Sequence, residues 1–219
     1  MRLLDLFCGA GGASMGYHQA GFEVVGVDIV PQPNYPHEFY QYDALNLPES
    51  FDLSTFDAIH ASPPCQEFSD RKSLTKNAYV NLIPEARALL LASGLPYIIE
   101  NVERSPLIDP ITLCGTMFPP LRVIRHRIFE TNWPLERPKH PPPPHPRVFT
   151  HDKRKKHYGK LDQNTSFIQV TGGGNSTIEN KRDAMGIDWM HRREELNEAV
   201  PPAYTRYIGQ KLREYLEDS

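Results

Sequence analysis

One short stretch, SPPCQEFS (62–69), places Cys65 directly after two prolines. Proline fixes φ and has no N–H, so the Pro63-Pro64 pair is stiff and cannot continue a helix or a central strand. A cysteine at the end of this pair is held in one direction, which suits a nucleophile better than a core side chain. A buried structural cysteine is the alternative interpretation.

Two other stretches place charged groups at apolar segments. Glu100 begins ENV (100–102) directly after the apolar YII. A carboxyl beside apolar walls has a raised pKa and can hold a proton for general-acid work, and a capping or solvated acid is the alternative. Arg125 and Arg127 alternate in RVIRHRIFE (122–130), so they point to one side of an extended chain. Their guanidinium groups suit a phosphate, carbonyl or carboxylate, and a solvated face is the alternative.

A glycine-rich stretch near the N-terminus has the features of a ligand-binding turn. DLFCGAGG (5–12) runs from a strand-like segment through glycines into a helix-like segment. Glycines permit a tight turn and let the backbone approach a ligand beside the helix N-terminus. Asp28 ends the next strand at close to the offset, about 20 residues, where an acid commonly binds ribose hydroxyls. Asp43 occupies a comparable position farther on, and together these features favour an adenosine-containing cofactor over a tight turn with solvated acids.

The elements that must position these groups alternate between apolar runs and helical patterns. This alternation predicts a parallel α/β sheet with crossover helices. Ligands bind at the carboxyl ends of such strands, where Cys65 is expected. The predicted strands are 2–7, 23–29, 56–62 and 96–102, and the predicted helices are 13–21 and 81–94.

The pattern changes after Phe129. Residues 130–149 are rich in proline and predict an extended connector, which is followed by a basic cluster at 150–160. A short strand then runs into a glycine turn within 165–177. Helical sequence returns in three segments, which are 180–187, 190–200 and 203–217.

Length and composition indicate one globular domain, with 219 residues that are 39% hydrophobic and 23% charged. No run of about 18 apolar residues predicts a membrane helix, and the N-terminus lacks the pattern of a signal peptide. The net charge of −3 argues against a wholly basic nucleic-acid binder but leaves room for basic patches. Cys8, Cys65 and Cys114 are an odd number at no metal spacing, so we expect reduced thiols, a cytoplasmic location and no metal. Nothing around Cys8 or Cys114 aims or activates the sulfur.

Taken in order, these stretches resemble the DNA (cytosine-5) methyltransferases. DLFCGAGG and the following acidic strand end resemble the family's first cofactor motif, SPPCQEFS its Pro-Cys-Gln nucleophile motif, and ENV its glutamate motif. RHR (125–127) matches the Arg-x-Arg half of the arginine motif, and NEAVPPAYTRYIG (197–209) resembles the closing motif. The resemblance covers roughly 1–130 and 180–210, and the ordered set is far more specific than any single member.

The resemblance implies a Rossmann-like, S-adenosylmethionine-dependent fold with a mostly parallel sheet, helices on both faces and a small recognition insert. It implies a role for each matching residue in methyl transfer to C5 of a cytosine that is flipped out of double-stranded DNA. Cys65 would be the nucleophile, Glu100 the partner of the cytosine N3, Arg127 the contact to the cytosine carbonyl with Arg125 in support, and Pro64 part of the pocket wall. The expected cofactor contacts are Phe7, Gly9, Gly11, Asp28 at the ribose, Ile29 on the adenine and Asp43 at its amino group.

The chain departs from the family pattern in three places. Val123 stands where the arginine motif has glutamine, and Asn197-Glu198 stands where the closing motif has Gly-Asn. The segment between these motifs, which holds the recognition domain in the family, is only about residues 131–180. We therefore expect a catalytic and cofactor-binding core at 1–130, a short target-recognition segment at 131–180, and C-terminal helices at 181–219 that complete the core.

The recognition segment contains two candidate DNA-binding groups. One is a basic cluster that would neutralise phosphates, and the other is a pair of possible base readers beside the glycine turn. The cluster comprises Lys153, Arg154, Lys155 and Lys156, and the pair comprises Thr171 and Asn175. The compact segment predicts a recognition site of about two to three base pairs.

Other functions stay open at this point. They are a cytosine-5 methyltransferase acting on tRNA, a catalytically idle DNA-binding module of the same fold, and a thiol enzyme acting on a free pyrimidine nucleotide. The tRNA-directed branch often carries Cys-Phe-Thr in an extra motif, which this sequence lacks. Retention of Cys65, Glu100 and Arg127 together argues against an idle module. We expect a monomer, from a bacterium or a phage.

Overall fold

The computed structural model describes residues 1–64, 81–142, 167–168, 170 and 176–218. These residues form a seven-stranded sheet and five α-helices. The strands are β1 (Arg2–Leu6), β2 (Glu23–Asp28), β3 (Glu38–Gln41), β4 (Ala58–Ala61), β5 (Tyr97–Asn101), β6 (Ile111–Leu113) and β7 (Arg127–Thr131). The helices are α1 (Gly12–Gln19), α2 (Ile83–Ser93), α3 (Ile178–Met185), α4 (Arg193–Glu198) and α5 (Pro202–Glu217).

The sheet has the spatial order β3-β2-β1-β4-β5-β7-β6. The pairs from β3 to β5 are parallel, whereas β7 is antiparallel to both β5 and β6. The central strands are apolar along their whole length because helices cover both faces of the sheet. Leu3 packs in the cluster that contains Tyr17 of α1 and Ile208 of α5, and the next residue, Leu4, packs in the cluster that contains Leu90 of α2. The predicted Rossmann-like sheet with helices on both faces is confirmed.

Close contact between α1 and α5 joins the two ends of the described chain. The Thr205 hydroxyl donates a hydrogen bond of 2.8 Å to the Ala13 carbonyl oxygen. A Cβ atom on Gly16 would lie 2.0 Å from Thr205 Oγ1 and 2.2 Å from the Pro202 carbonyl oxygen, so the approach requires glycine at position 16. Among the described residues, no helix is both long enough and apolar enough to span a membrane.

The main differences from the predicted elements lie around the arginine stretch. The strand expected at 122–130 begins only at Arg127, because the preceding residues bond elsewhere: Arg122 N donates to Ala184 O at 2.9 Å, and Val123 pairs with Ile168. The sequence did not reveal β6, which has only three residues. The helix expected at 190–200 is restricted to α4, while residues 132–142 of the proline-rich connector contain neither helix nor strand, as predicted.

Candidate active site

The sheet topology brings the predicted site stretches to one edge. The strand order changes direction between β1 and β4, and ligands bind outside the carboxyl ends of the strands at such a point. The glycine turn follows β1, Pro63-Pro64 follows β4, and Glu100 lies near the end of β5. Because β7 is antiparallel to β5, its first residue, Arg127, lies at the same edge.

The glycine turn after β1 has the backbone of a ligand cradle. Phe7, Gly9 and Gly11 have φ angles of 58°, 50° and 82°, in the left-handed region. Phe7 is not a glycine, and residues held in this region concentrate at functional sites. A Cβ atom on Gly11 would come within 2.8 Å of Pro36 Cδ, whereas one built on Gly9 would have no described residue within 4 Å apart from its chain neighbours. The open space beside Gly9 leaves room for a ligand against the backbone.

The two acids that are expected at the cofactor each accept hydrogen bonds from backbone N–H groups. Asp28 accepts hydrogen bonds from Gly9 N at 3.0 Å and from Val30 N at 2.9 Å, one on each carboxylate oxygen. Asp43 accepts from the Asn46 side chain at 2.7 Å and from Leu45 N at 3.0 Å, and these bonds lower its pKa. Each carboxylate oxygen has a second lone pair with which it can accept a ligand hydroxyl or amino group.

An exposed apolar side chain directly follows Asp28 in the chain. Ile29 directly follows β2 and is 64% exposed, which is unusual for isoleucine. With the carboxylate of Asp28 next to it, the pair presents an acceptor and an apolar surface at the carboxyl end of the same strand. These features fit a ribose and an adenine ring, respectively.

The segment that leads to Cys65 is anchored by the glutamate stretch. Pro63 is buried, and its carbonyl oxygen accepts a hydrogen bond of 2.9 Å from the side-chain amide of Asn101. The Asn101 side-chain oxygen accepts from Ser105 Oγ at 2.6 Å and from Val102 N at 2.9 Å. Pro64 is exposed. Sequence reasoning assigned no role to Asn101, although it is the middle residue of ENV.

Glu100 is a buried carboxyl that faces the two arginines. Burial raises its pKa, and the charges of Arg127 and Arg125 offset part of that increase. Arg127 Nε lies 2.9 Å from Glu100 Oε1, at ion-pair distance but without hydrogen-bond geometry. Among the described residues, Oε1 therefore has no hydrogen-bond partner although it is buried. A buried carboxyl oxygen in this state is suited to bind a polar atom of a ligand.

A chain of hydrogen bonds connects Glu100 to α1 through the sheet. The Ser62 side chain bonds to Glu100, Ser62 Oγ lies 2.9 Å from His60 Nε2, and His60 Nδ1 lies 2.9 Å from the Tyr17 hydroxyl. Burial lowers the pKa of His60 to about 3, so the ring is neutral at physiological pH. One consistent assignment has Tyr17 donating to Nδ1, Nε2–H donating to Ser62, and Ser62 donating to Glu100. This series of hydrogen bonds fixes one carboxyl oxygen of Glu100, while the other oxygen faces Arg127.

Arg125 connects the arginine stretch to two other parts of the chain. Its guanidinium donates to the carbonyl oxygens of Val170 and Asn197, each at 2.6 Å. Its own carbonyl oxygen accepts a hydrogen bond of 2.6 Å from the Tyr204 hydroxyl. Asn197, one of the two departures in the closing motif, also accepts from the buried Lys181, whereas Glu198 is exposed.

Two residues that sequence reasoning did not select support the glycine turn. Trp189 Nε1 donates a hydrogen bond of 2.8 Å to the Ala10 carbonyl oxygen. Asp5 is fully buried at the end of β1 and accepts from the Ser14 hydroxyl, and burial raises the pKa of Asp5 to about 7. The available signal for Asp5 was a charged residue within the otherwise apolar run 3–6 of β1.

Several predicted site residues lie outside the described residues. They are Cys65, Lys153, Arg154, Lys155, Lys156, Thr171 and Asn175. Their roles stay predictions from the sequence. The described residues at or next to the edges of these segments are Pro63, Pro64, Val170 and Ser176.

Comparison with known proteins identifies the family to which this chain belongs. A family model described as C-5 cytosine-specific DNA methylase matches residues 1–104. The Type II methyltransferase M.HgiGI of Herpetosiphon aurantiacus is 35% identical over 119 residues, which cover 49% of this chain and 94% of that protein. The chain belongs to the C-5 cytosine-specific DNA methylases. A second relative, M.HgiDI of the same organism, is 34% identical over 119 residues, but the match covers only 38% of its length.

Solved structures support the fold assignment of this cytosine-5 methylase. A DNA modification methyltransferase candidate encoded within an E. coli prophage superimposes over 100% of both chains, with a TM-score of 0.69 and 16% identity. S. pombe Dnmt2 methyltransferase superimposes over 99% of both chains, with a TM-score of 0.59 and 16% identity. The expected methyltransferase fold is thereby confirmed.

Proposed function

We propose that this cytosine-5 methylase transfers a methyl group from S-adenosylmethionine to C5 of a cytosine in double-stranded DNA. The observation that carries the proposal is Glu100, a buried carboxyl with a raised pKa, whose Oε1 lies 2.9 Å from Arg127 Nε and has no hydrogen-bond partner among the described residues. It lies at the sheet edge where the Pro63-Pro64 segment leads to Cys65. Family membership and the intact Pro-Cys-Gln sequence support the same chemistry.

The first step is addition of the Cys65 thiolate to C6 of the cytosine. The new S–C6 bond pushes electrons into the ring, so N3 gains negative charge and must be neutralised. Glu100 in its protonated form donates a proton to N3, and burial favours that form. Arg127 donates hydrogen bonds to the cytosine carbonyl, which keeps the ring oriented against Glu100.

The second step uses the C5 nucleophile created by this addition. S-adenosylmethionine supplies an electrophilic methyl group when it is bound. A base then removes the C5 proton, the S–C6 bond breaks to regenerate the Cys65 thiolate, and N3 returns its proton to Glu100. C5 cannot be reached inside a duplex, so the target base must leave the stack.

The residues around the glycine turn fit S-adenosylmethionine. Gly9 has open space on its Cβ side, Asp28 presents carboxylate oxygens, and the exposed Ile29 offers an apolar face for adenine. Phe7 and Gly11 would line the same turn, and Asp43 would accept from the adenine amino group. These residues would bind and orient the cofactor, while Cys65, Glu100 and Arg127 act on the base.

Label transfer from tritiated S-adenosylmethionine to duplex DNA, tRNA and dCMP tests the proposal. We expect label in duplex DNA, in acid-stable form at C5 of cytosine, and none when Cys65 is replaced by serine. Label found mainly in tRNA or dCMP would identify a different substrate class for the same chemistry and would reject DNA. A wild-type protein that labels none of the three would indicate an idle DNA-binding module.

Asp28→Ala is expected to weaken S-adenosylmethionine binding more than it slows methyl transfer. The ribose contact is made equally in the ground and transition states, so its loss appears in affinity. A hydrogen bond to a charged group contributes about 1.5–3 kcal/mol, which corresponds to a loss of roughly tenfold to 150-fold in affinity. Titration calorimetry with S-adenosylmethionine measures this loss.

Two controls separate the ribose contact from support of the turn. Asp28→Asn keeps an acceptor for Gly9 N, so it should lose less affinity than the alanine variant. Asp52→Ala removes a comparable exposed cap of Ser54 N far from the glycine turn and should bind normally. Unchanged affinity in Asp28→Ala would mean that Asp28 only closes the turn.

Neutralising the basic cluster is expected to weaken binding to all DNA sequences alike. Replacing Lys153, Arg154, Lys155 and Lys156 with glutamine removes phosphate contacts, which carry little sequence information. Each lost contact should reduce the slope of log affinity against log salt by about 0.9. Fluorescence anisotropy with two unrelated duplexes at several salt concentrations measures both effects, and a sequence-dependent loss would assign the cluster to base reading.

Changes at Thr171 or Asn175 are expected to alter which cytosines are methylated. A segment of about 50 residues can present only one or two short loops to the major groove, where each bidentate pair gives about 1–3 kcal/mol of discrimination. We therefore expect a site of about two to three base pairs including the target cytosine. Bisulfite sequencing of plasmid methylated in bacterial cytoplasm, where we propose the enzyme acts, reads the site. A consensus with four or more fixed positions would contradict the predicted short recognition site.

A further inference from the structure

Three potential metal ligands that are distant in the sequence meet beside the arginine stretch. Cys114 directly follows β6, His126 directly precedes β7, and His140 lies in the proline-rich connector. One ligand atom from each lies within 4.8 Å of the others. Cys114 is fully buried, and both histidines are half-buried.

The polar contacts at Nδ1 of the two histidines leave their Nε2 atoms facing each other. His140 Nδ1 lies 2.6 Å from the Pro141 carbonyl oxygen, which can only accept, so Nδ1 carries the proton. His126 Nδ1 lies 3.7 Å from a carboxylate oxygen of Glu103, beyond hydrogen-bond distance, and the negative charge of that carboxylate favours a proton on Nδ1. The two Nε2 atoms are therefore left with lone pairs, and they face each other at 3.4 Å. Facing lone pairs repel unless a cation lies between them.

The geometry points to a divalent metal site formed by Cys114, His126 and His140, and we propose that its ion is Zn²⁺. Tetrahedral zinc with Zn–N bonds of about 2.0–2.1 Å separates two nitrogen ligands by about 3.3–3.4 Å. The observed separation of the Nε2 atoms is 3.4 Å. One thiolate and two imidazoles are ligands that zinc prefers over magnesium or calcium.

Metal binding requires one proton to leave and one small movement. The Cys114 thiol gives its proton to solvent and binds as thiolate. A tetrahedral site brings sulfur and nitrogen to about 3.6 Å, and the ligand atoms lie within 4.8 Å of one another, so the sulfur must approach by at most about 1.2 Å. Backbone carbonyl and carboxylate partners on the Nδ1 atoms are the usual outer contacts of zinc-bound histidine. The fourth position is left for water or a further ligand.

The site would clamp the connector to the strand that carries the arginines. His126 lies between Arg125 and Arg127, and its carbonyl oxygen accepts a hydrogen bond of 2.9 Å from Arg127. His140 lies near the end of the described part of the connector, which leads to the basic cluster. Zinc would thus fix the start of the recognition segment relative to β7. This inference does not depend on the methyl-transfer proposal, because its readout is metal content.

Metal analysis and cobalt substitution test the site. Protein purified without chelators or a metal-binding tag should contain one zinc per chain by elemental mass spectrometry. Co²⁺ added to the chelated protein should produce a near-ultraviolet sulfur-to-cobalt charge-transfer band and intense visible bands typical of tetrahedral cobalt. Both signals should be lost in Cys114→Ser, and the zinc content and the visible bands should fall sharply in His140→Asn.

Matched controls identify the ligands. His18 packs against His37 with ring centroids 4.6 Å apart, so His18→Asn disrupts a different histidine pair and should keep the zinc and the bands. Cys8→Ser removes another buried thiol and should also keep them. If Cys114→Ser does not fold, zinc-dependent thermal stabilisation of the wild type that is lost in His140→Asn makes the same distinction.

Two outcomes would overturn the proposal. One is a wild-type protein that contains no metal and gives no cobalt band, which would mean that a shared proton joins the two rings. The other is a cobalt–thiolate band that persists in Cys114→Ser, which would assign the sulfur to another cysteine.

Discussion

Replacing Cys65 with serine is expected to reduce methyl transfer by about 10⁴-fold or more, since removal of a catalytic nucleophile has losses of this size in other covalent enzymes. Serine has nearly the same shape, but its hydroxyl is a far weaker nucleophile than a thiolate. The Pro63 carbonyl is held by Asn101 at 2.9 Å, so the segment leading to position 65 should keep its direction in the variant. Single-turnover transfer of tritiated methyl groups to duplex DNA measures the loss.

Cys8→Ser is the matched control for the nucleophile. Burial raises the pKa of the Cys8 thiol, so it stays protonated and cannot attack a base. This variant should keep most of the wild-type rate. A near wild-type rate in Cys65→Ser would reject covalent catalysis through this residue.

DNA that contains 5-fluorocytosine should trap the wild type as a covalent complex. Fluorine at C5 prevents removal of a C5 proton, so the S–C6 bond cannot be broken after methyl transfer. Peptide mapping of the complex should locate the linkage at Cys65, and Cys65→Ser should form no complex. Linkage to Cys8 or Cys114 would contradict the assignment.

The sequence predicted the sheet edge well because the relevant signals are local. Apolar runs that end in Gly9, Pro63 or Glu100 each mark the carboxyl end of a strand, and parallel strands bring those ends together. The seven-stranded sheet therefore places the three groups as the sequence predicts. The alternation of Arg125 and Arg127 was less informative, because the strand β7 begins only at Arg127. Arg125 lies before this strand, and its guanidinium donates to two carbonyl oxygens.

Contacts between distant segments were not predictable from spacing. The bonds that fix Glu100 run through Ser62, His60 and Tyr17, and no residue spacing in the sequence indicates that these three side chains meet. Likewise, the spacing of the cysteines does not indicate that two histidines approach Cys114. Their convergence depends on the antiparallel β6–β7 pair and on the path of the connector, neither of which leaves a periodic pattern.

Glu100→Gln is expected to slow methyl transfer by about 10²- to 10⁴-fold, the usual contribution of general acid–base catalysis. Glutamine fits the same space and can accept from Ser62, but it cannot give a proton to N3. Since the loss concerns proton transfer, it should appear in the single-turnover rate rather than in DNA affinity. Rapid-quench measurements at saturating DNA and S-adenosylmethionine separate the two.

The pH dependence should distinguish a proton donor from a residue that only shapes the pocket. Burial raises the pKa of Glu100 above its ordinary value, so the protonated fraction falls as pH rises through that raised pKa. The wild-type rate should therefore have a descending limb as pH rises through the raised pKa of Glu100, and Glu100→Gln should lose that limb.

Glu130→Gln is the matched control, because Glu130 is another buried glutamate on the same sheet that pairs with an arginine. Burial acts to raise the pKa of Glu130, but the bonds from Arg87, 2.7 Å away, and from Ile108 N bring it below its ordinary value. Glu130→Gln should lower thermal stability, since it weakens a buried ion pair, while the shape of the pH–rate profile is preserved. An unchanged descending limb in Glu100→Gln would show that another group supplies the proton to N3.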